Sequence, residues 1–214
     1  MVRAVYDQLV NDRSEFGVTA FILAGGKSSR MGSDKAFVRI GDETLLSRAL
    51  KAAQSLGGEI RIVGDARKFA AFGRVVEDVY PERGPLGGIH AALVSSGTEL
   101  NLMLAVDLPF IAPEFLKYLL ARARESNAMI MVPQAGGRLQ PLCATYRRGF
   151  AEIAEQALAR GENKIDALFD RVVETRVIEE AELVQARFSA DMFRNLNTPG
   201  DLEQARISSS GLEN

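Results

Sequence analysis

Directly after the apolar run Val18 to Ile22 stands Leu23-Ala-Gly-Gly-Lys-Ser-Ser-Arg-Met-Gly-Ser-Asp-Lys-Ala36, where small residues are interleaved with cations. Glycine lets a backbone approach a ligand closely and lets neighbouring N–H groups point into one concavity. Lys27, Arg30 and Lys35 add positive charge around it. That combination suits a nucleoside triphosphate. Spacing excludes two common phosphate loops. A Walker loop needs a glycine where Phe21 stands, and a dinucleotide fingerprint needs glycines where Lys27 and Arg30 stand. What remains is a longer basic loop with Gly25 and Gly26 at its mouth, Gly32 further on, and Lys35 able to reach back over the phosphates. Asp34 stands beside Lys35 and reads as its counter-charge, while Ser28 and Ser29 also suit an ordinary turn.

Asp107 closes the apolar stretch Asn101 to Val106. A carboxylate there is costly to bury unpaired but favourable as the ligand of a divalent cation. Magnesium binds through one or two carboxylates plus substrate phosphates, so Asp107 is the metal candidate and Mg2+ the candidate ion. The plainer alternative is a cap on the turn that follows. Asp78, at the end of Val75-Val-Glu-Asp78, is a second acidic candidate, and it too could be no more than a strand end entering a loop.

Short β-rich runs alternate with amphipathic stretches, the pattern of an α/β chain with a mainly parallel sheet covered by helices on both faces. Strands are expected at Ala20 to Leu23, Glu59 to Val63, Arg74 to Glu77, Asn101 to Val106, Ala128 to Pro133 and Glu174 to Ile178. Ala36 to Ile40 reads as a short extended piece, and a Gly136-Gly137 hairpin returns into Leu139 to Tyr146. Helices are expected at Thr44 to Leu56, Ala66 to Phe72, Leu86 to Ser95, Pro113 to Glu125, Gly149 to Ala159, Lys164 to Phe169 and Pro199 to Ile207. In such a sheet ligands gather beyond the C-terminal strand ends, near the point where strand order reverses. The loop after Leu23, Gly64-Asp65, Asp78 and Asp107 should therefore converge on one crevice.

With 214 residues, 47% hydrophobic and 25% charged, the chain is expected to fold as one domain over 18–207, preceded by an extension (1–17) and followed by a tail (208–214). Net charge is −2 without a Lys/Arg stripe, which argues against nucleic acid, and no run is long enough to span a bilayer. The extension lacks the uninterrupted apolar centre of a secretion signal. A single cysteine, Cys143, and a single histidine, His90, exclude an internal disulfide and a zinc cluster. A cytoplasmic protein is expected, with Cys143 as apolar filler and His90 as a packed or surface residue.

The loop resembles the signature loop of nucleotidyltransferases that activate small phosphorylated acceptors, most closely that of the molybdenum cofactor guanylyltransferase family. Gly84-Pro-Leu-Gly-Gly-Ile89, Val106-Asp-Leu-Pro-Phe110 and Asn195-Leu-Asn-Thr-Pro-Gly-Asp-Leu202 carry the same resemblance in order, so it covers nearly the whole chain. It implies a three-layer sandwich of the Rossmann-like nucleotidyltransferase type that transfers GMP from GTP to the phosphate of molybdopterin, releasing pyrophosphate. By the same resemblance the backbone of Leu23 and Ala24 reads the base edge, Gly25 and Gly26 leave room for the nucleotide, and Lys27 lines the phosphates. Lys35 and Arg30 are the catalytic cations, Asp78 contacts the nucleotide and Asp107 holds magnesium. The acceptor phosphate is already ionised, so no general base is required and removing one cation should slow turnover on the order of a hundredfold.

One position departs from the family pattern. The residue after the third family strand, often Asn in guanylyltransferases, is Gly64, so a side-chain contact is absent or supplied by Asp65, and Gly64 is left as a backbone contact. Gly84 to Gly88 opens a helix toward the acceptor or the nucleotide sugar. Asn195 and Asn197 are candidates for the acceptor or magnesium, and Arg138 and Gln140 for the pterin side. Partners implied are GTP, molybdopterin and molybdoenzyme apoproteins or their chaperones, with no nucleic acid or membrane. Competing readings are a CTP-dependent or sugar-phosphate enzyme of the same fold, a non-catalytic GTP-binding escort, and a dehydrogenase, the last weakened by the missing fingerprint.

Overall fold

A computed structural model describes residues 17–25, 34–172, 174–196 and 201. The strands are β1 (Val18–Leu23), β2 (Arg39–Ile40), β3 (Glu43–Thr44), β4 (Glu59–Val63), β5 (Arg74–Val76), β6 (Leu100–Ala105), β7 (Ile130–Ala135), β8 (Arg138–Leu139), β9 (Cys143–Arg147) and β10 (Thr175–Ile178). The α-helices are α1 (Leu45–Gln54), α2 (Ala66–Phe69), α3 (Gly84–Ser95), α4 (Pro113–Arg124), α5 (Phe150–Ala159), α6 (Asp166–Phe169) and α7 (Glu180–Gln185), with 3-10 turns at Lys35–Phe37 and Ala190–Phe193.

An eight-stranded mixed sheet runs in the order β10-β7-β9-β6-β1-β4-β5, with β8 pairing only with β7. β1 lies parallel to both β4 and β6, β4 to β5, and β10 to β7, while β9 is antiparallel to β6 and β7. The C-terminal ends of β1, β4, β5 and β6 therefore share one edge. Strand order reverses at β1 and β6: the chain leaves β1 toward β4 and leaves β6 toward the opposite half.

The period-two alternation of side chains feeds two cores, one on each face. Ala20 and Ile22 of β1 and Leu102 and Leu104 of β6 pack with α1 and α4. Phe21 of β1 and Met103 of β6 face the other way, onto α3 and α5. β6 is buried along its whole length, as a strand covered on both faces must be. Helices on both faces of a mainly parallel sheet make the three layers expected from the sequence pattern.

Several expectations are corrected in detail. Ala36 to Ile40 is not one extended piece. The Asp34 carboxylate accepts the Ala36 N–H and winds Lys35–Phe37 into a 3-10 turn before β2 begins. Leu139 to Tyr146 is not one strand either. Pro141 has no N–H for the ladder, and the Cys143 N–H donates to the Gln140 carbonyl, so the chain turns between β8 and β9. α7 and the 3-10 turn Ala190–Phe193 were not expected, being too short to show a periodic apolar face. Most of the expected closing helix, together with 1–16 and the tail, lies outside the described residues.

Candidate active site

The shared strand edge opens into a cleft of about 610 Å³. Leu23, Ala24 and Gly25 enter from the end of β1, Val63 from β4, Asp78 from beyond β5, and Ala105 to Asp107 from β6, while Gly84, Pro85 and Gly88 of α3 form the opposite wall. Lys35, Asp34, Glu82 and Leu142 complete it. Sequence-predicted residues separated by more than eighty positions thus meet where strand order reverses. Gly26, Lys27, Arg30 and Asn197, with Ser28, Ser29 and Gly32, lie outside the described residues.

Two carbonyls at this edge are already engaged by the sheet. The Val106 N–H donates to the Leu23 carbonyl at 3.1 Å, and the Ala24 N–H donates to the Val63 carbonyl at 3.0 Å. The loop is therefore anchored on both sides before it leaves β1. Gly64 lies against it, with its Cα 3.9 Å from the point a Gly25 side chain would occupy, and its own N–H donates to the Val76 carbonyl.

Lys35 Nζ donates to Asp107 Oδ2 at 3.1 Å, and both side chains are three-quarters or more buried. Asp34, read from sequence as the counter-charge of Lys35, instead pairs with Lys68 Nζ at 2.7 Å. The correction has a simple cause: Asp34 is the extended cap residue and Lys35 the first residue of the 3-10 turn, so their side chains leave in different directions, Asp34 toward Lys68 of α2 and Lys35 toward Asp107 after β6. Asp107 offers a carboxylate oxygen at the rim of a cleft wide enough for a nucleotide. An oxygen-only donor such as this suits a hard divalent cation that takes one or two carboxylates and completes its shell with phosphates and water. The residues present fit magnesium.

Asp78 is accessible from the cleft, yet the surrounding protein penalises its charge by desolvation and raises its carboxyl above the ordinary aspartate range. Its Oδ1 lies 3.6 Å from where a Gly88 side chain would begin, which places the carboxylate against α3.

The family model for the MobA-like NTP transferase domain matches residues 20–176. The chain belongs to this family. A protein of Pelotomaculum thermopropionicum named "Probable molybdenum cofactor guanylyltransferase" is 36% identical over 191 residues, covering 88% of this chain and 92% of the relative. The molybdenum cofactor guanylyltransferase of Desulfosudis oleivorans is 32% identical over 191 residues, 88% and 94% of the two chains. The crystal structure of molybdopterin-guanine dinucleotide biosynthesis protein A from Archaeoglobus fulgidus superposes with a TM-score of 0.80 at 26% identity, over 90% of this chain and 99% of that one.

In this MobA-like nucleotidyltransferase several sequence candidates sit elsewhere. Asp65 accepts the Arg67 N–H and pairs with the Arg67 guanidinium, so its carboxylate caps α2 rather than replacing a side chain at Gly64. Arg138 and Gln140 are absent from the cleft wall, and Gln140 instead ties the β7–β8 hairpin by donating to the Ala135 and Arg138 carbonyls. His90 is buried against Tyr80, ring centroids 5.2 Å apart, and burial lowers its pKa. Cys143 is fully buried, and desolvation pushes its thiol up. Asn195 lies in a segment stitched to the site: the next residue, Leu196, donates its N–H to the Asp107 carbonyl at 3.2 Å, and Arg194 lies over the Phe110 ring at 5.4 Å.

Sequence reasoning missed three residues of this transferase site. Glu82 lines the cleft with φ of 64°, a left-handed conformation rare outside glycine, and Leu142 enters from the break before β9. Lys68 reaches the site only through Asp34. A Pro-Glu-Arg-Gly turn was a usable signal for the first, but a lone Lys in a short helix carries none.

Proposed function

We propose that this transferase moves GMP from GTP onto the phosphate of molybdopterin, releasing pyrophosphate and leaving a guanine dinucleotide cofactor. The observation that carries the reading is the Lys35–Asp107 pair, a cation and a carboxylate held 3.1 Å apart in a cleft at the strand-order reversal. The names of the relatives support the guanine and molybdopterin halves.

An oxygen of the acceptor phosphate attacks the α-phosphorus in line. As the new P–O bond forms, the bond to the α–β bridging oxygen breaks and its electrons leave with pyrophosphate. No proton has to be removed, because the attacking phosphate is ionised at neutral pH. The obstacle is that two anions must approach, so catalysis consists of alignment and neutralisation. Lys35 supplies a positive charge that Asp107 keeps aimed into the cleft before nucleotide arrives. Asp107, with Asp78 lining the same cleft, is the residue that would hold magnesium, which when bound would neutralise phosphate oxygens as a Lewis acid. Arg30 and Lys27 are further cations for the phosphates in this reading. Leu23, Ala24 and Gly25 form the floor under the nucleoside, with Gly64 behind them. The proposal places the reaction in the cytoplasm, with molybdoenzyme apoproteins or their chaperones as recipients of the product.

Pyrophosphate release from GTP, CTP, ATP and UTP, each with magnesium and metal-loaded molybdopterin, tests the reading. Release is expected with GTP. Asp107→Ala should abolish it with the fold retained, and Lys35→Ala should slow it roughly a hundredfold. Preference for CTP overturns the guanine half, and GTP binding without pyrophosphate release overturns the transfer itself.

A further inference from the structure

The turn that presents Lys35 is gripped from outside the cleft. Asp34 uses one carboxylate oxygen to cap that turn, accepting the Ala36 N–H at 3.2 Å, and the other to receive Lys68 Nζ at 2.7 Å. On the far side of the same turn Phe37 stacks on Phe69, centroids 5.8 Å apart, and meets Phe72 at 5.7 Å. Lys68 and Phe69 are neighbours in α2, so one short helix holds the turn by an ion pair and by a ring. The helix is itself rooted in the site wall. A side chain at Gly64 would meet the Phe69 ring at 2.8 Å, so the glycine leaves the space the ring occupies.

We propose that Lys68 is a positioning residue for Lys35, acting through Asp34: by fixing the turn, it keeps the Lys35 ammonium directed at Asp107 and at the phosphates of an incoming nucleotide. The Phe69 ring, seated where Gly64 leaves room, supports the same turn through Phe37. This rests on the nucleotide reading of the cleft.

The grip is an exposed pair, Lys68 being 51% and Asp34 24% accessible at the side chain, so its loss should be felt as a small, specific effect. Two measurements separate it from general destabilisation. Amide hydrogen exchange in the ligand-free protein should quicken at Ala36 to Val38 in Lys68→Ala and return in Lys68→Arg. GTP affinity, read with a fluorescent GTP analogue plus magnesium, should fall roughly two- to fivefold in Lys68→Ala, recover in Lys68→Arg, and show no further fall when Lys68→Ala is added to Lys35→Ala. Unchanged exchange at the turn, or an equal loss of affinity with and without Lys35, overturns the proposal. Faster exchange in Lys68→Ala of a protein that binds no GTP upholds the grip and overturns the guanine reading instead.

Discussion

Asp78 carries its charge against the preference of the fold. Desolvation raises its pKa, so the folded chain holds the Asp78 proton more readily than the unfolded chain does. What this residue contributes to stability is therefore complete below the unfolded aspartate range and is lost as pH rises through the elevated folded value. Asp78→Asn removes the penalty. Thermal melts should show the variant more stable than wild type at pH 7, with the difference shrinking as pH falls toward about 4. A gain of equal size at both pH values, or a loss at pH 7, contradicts desolvation of the carboxylate as the cause. The same substitution should weaken nucleotide binding, because a carboxylate tolerated at a cost in the empty cleft is useful only once positive charge arrives with the substrate.

Among the elements, the short helix α2 is held by packing rather than by propensity. Asp65 caps it and Phe69 plugs it into the gap left by Gly64. Gly64→Asn would drive a side chain into a buried ring. The expected cost is about 1–3 kcal/mol, a fall in Tm of roughly 2–10 °C, partly relieved by Phe69→Leu in the same chain. A neutral Gly64→Asn would show that the ring moves aside freely. α3 is fixed at its opposite end. The buried Arg61 guanidinium donates to the Ser95 carbonyl at the helix C-terminus and to both oxygens of Glu59, holding the Glu59 carboxyl below its ordinary range. Anchored there, α3 presents its Gly84-Pro85 opening to the cleft.

For the whole molecule, ligand binding and stability are linked, because the cleft draws on β1, β4, β6, α3 and the Lys35 turn at once and exists only in the folded chain. GTP with magnesium at about a hundred times its Kd should add about 2.7 kcal/mol, seen as a rise in Tm of roughly 5–10 °C. CTP at the same concentration should give less, and Asp107→Ala should abolish the magnesium-dependent part. An equal rise with GTP in that variant would remove Asp107 from the metal site.

Much of this architecture was legible along the chain. β4 falls where its alternating Glu-Ile-Arg-Ile-Val run predicts, β6 follows from a segment that is apolar from Leu102 to Val106, and the Gly84-Pro85 opening marks α3, because each is decided by local pattern or by a residue with a fixed backbone preference. The loop after Leu23 and the carboxylate after β6 were legible as chemistry for a related reason: residue type and position at a strand end already limit what they can do. Partnership was not legible. That Lys35 faces Asp107, seventy-two positions away, while adjacent Asp34 faces Lys68, and that Gly64 is the footprint of Phe69, depend on how strand order brings distant segments together. Sequence spacing encodes the direction of a side chain only within its own element, and the distances across elements come into being when two layers of helices close on the sheet.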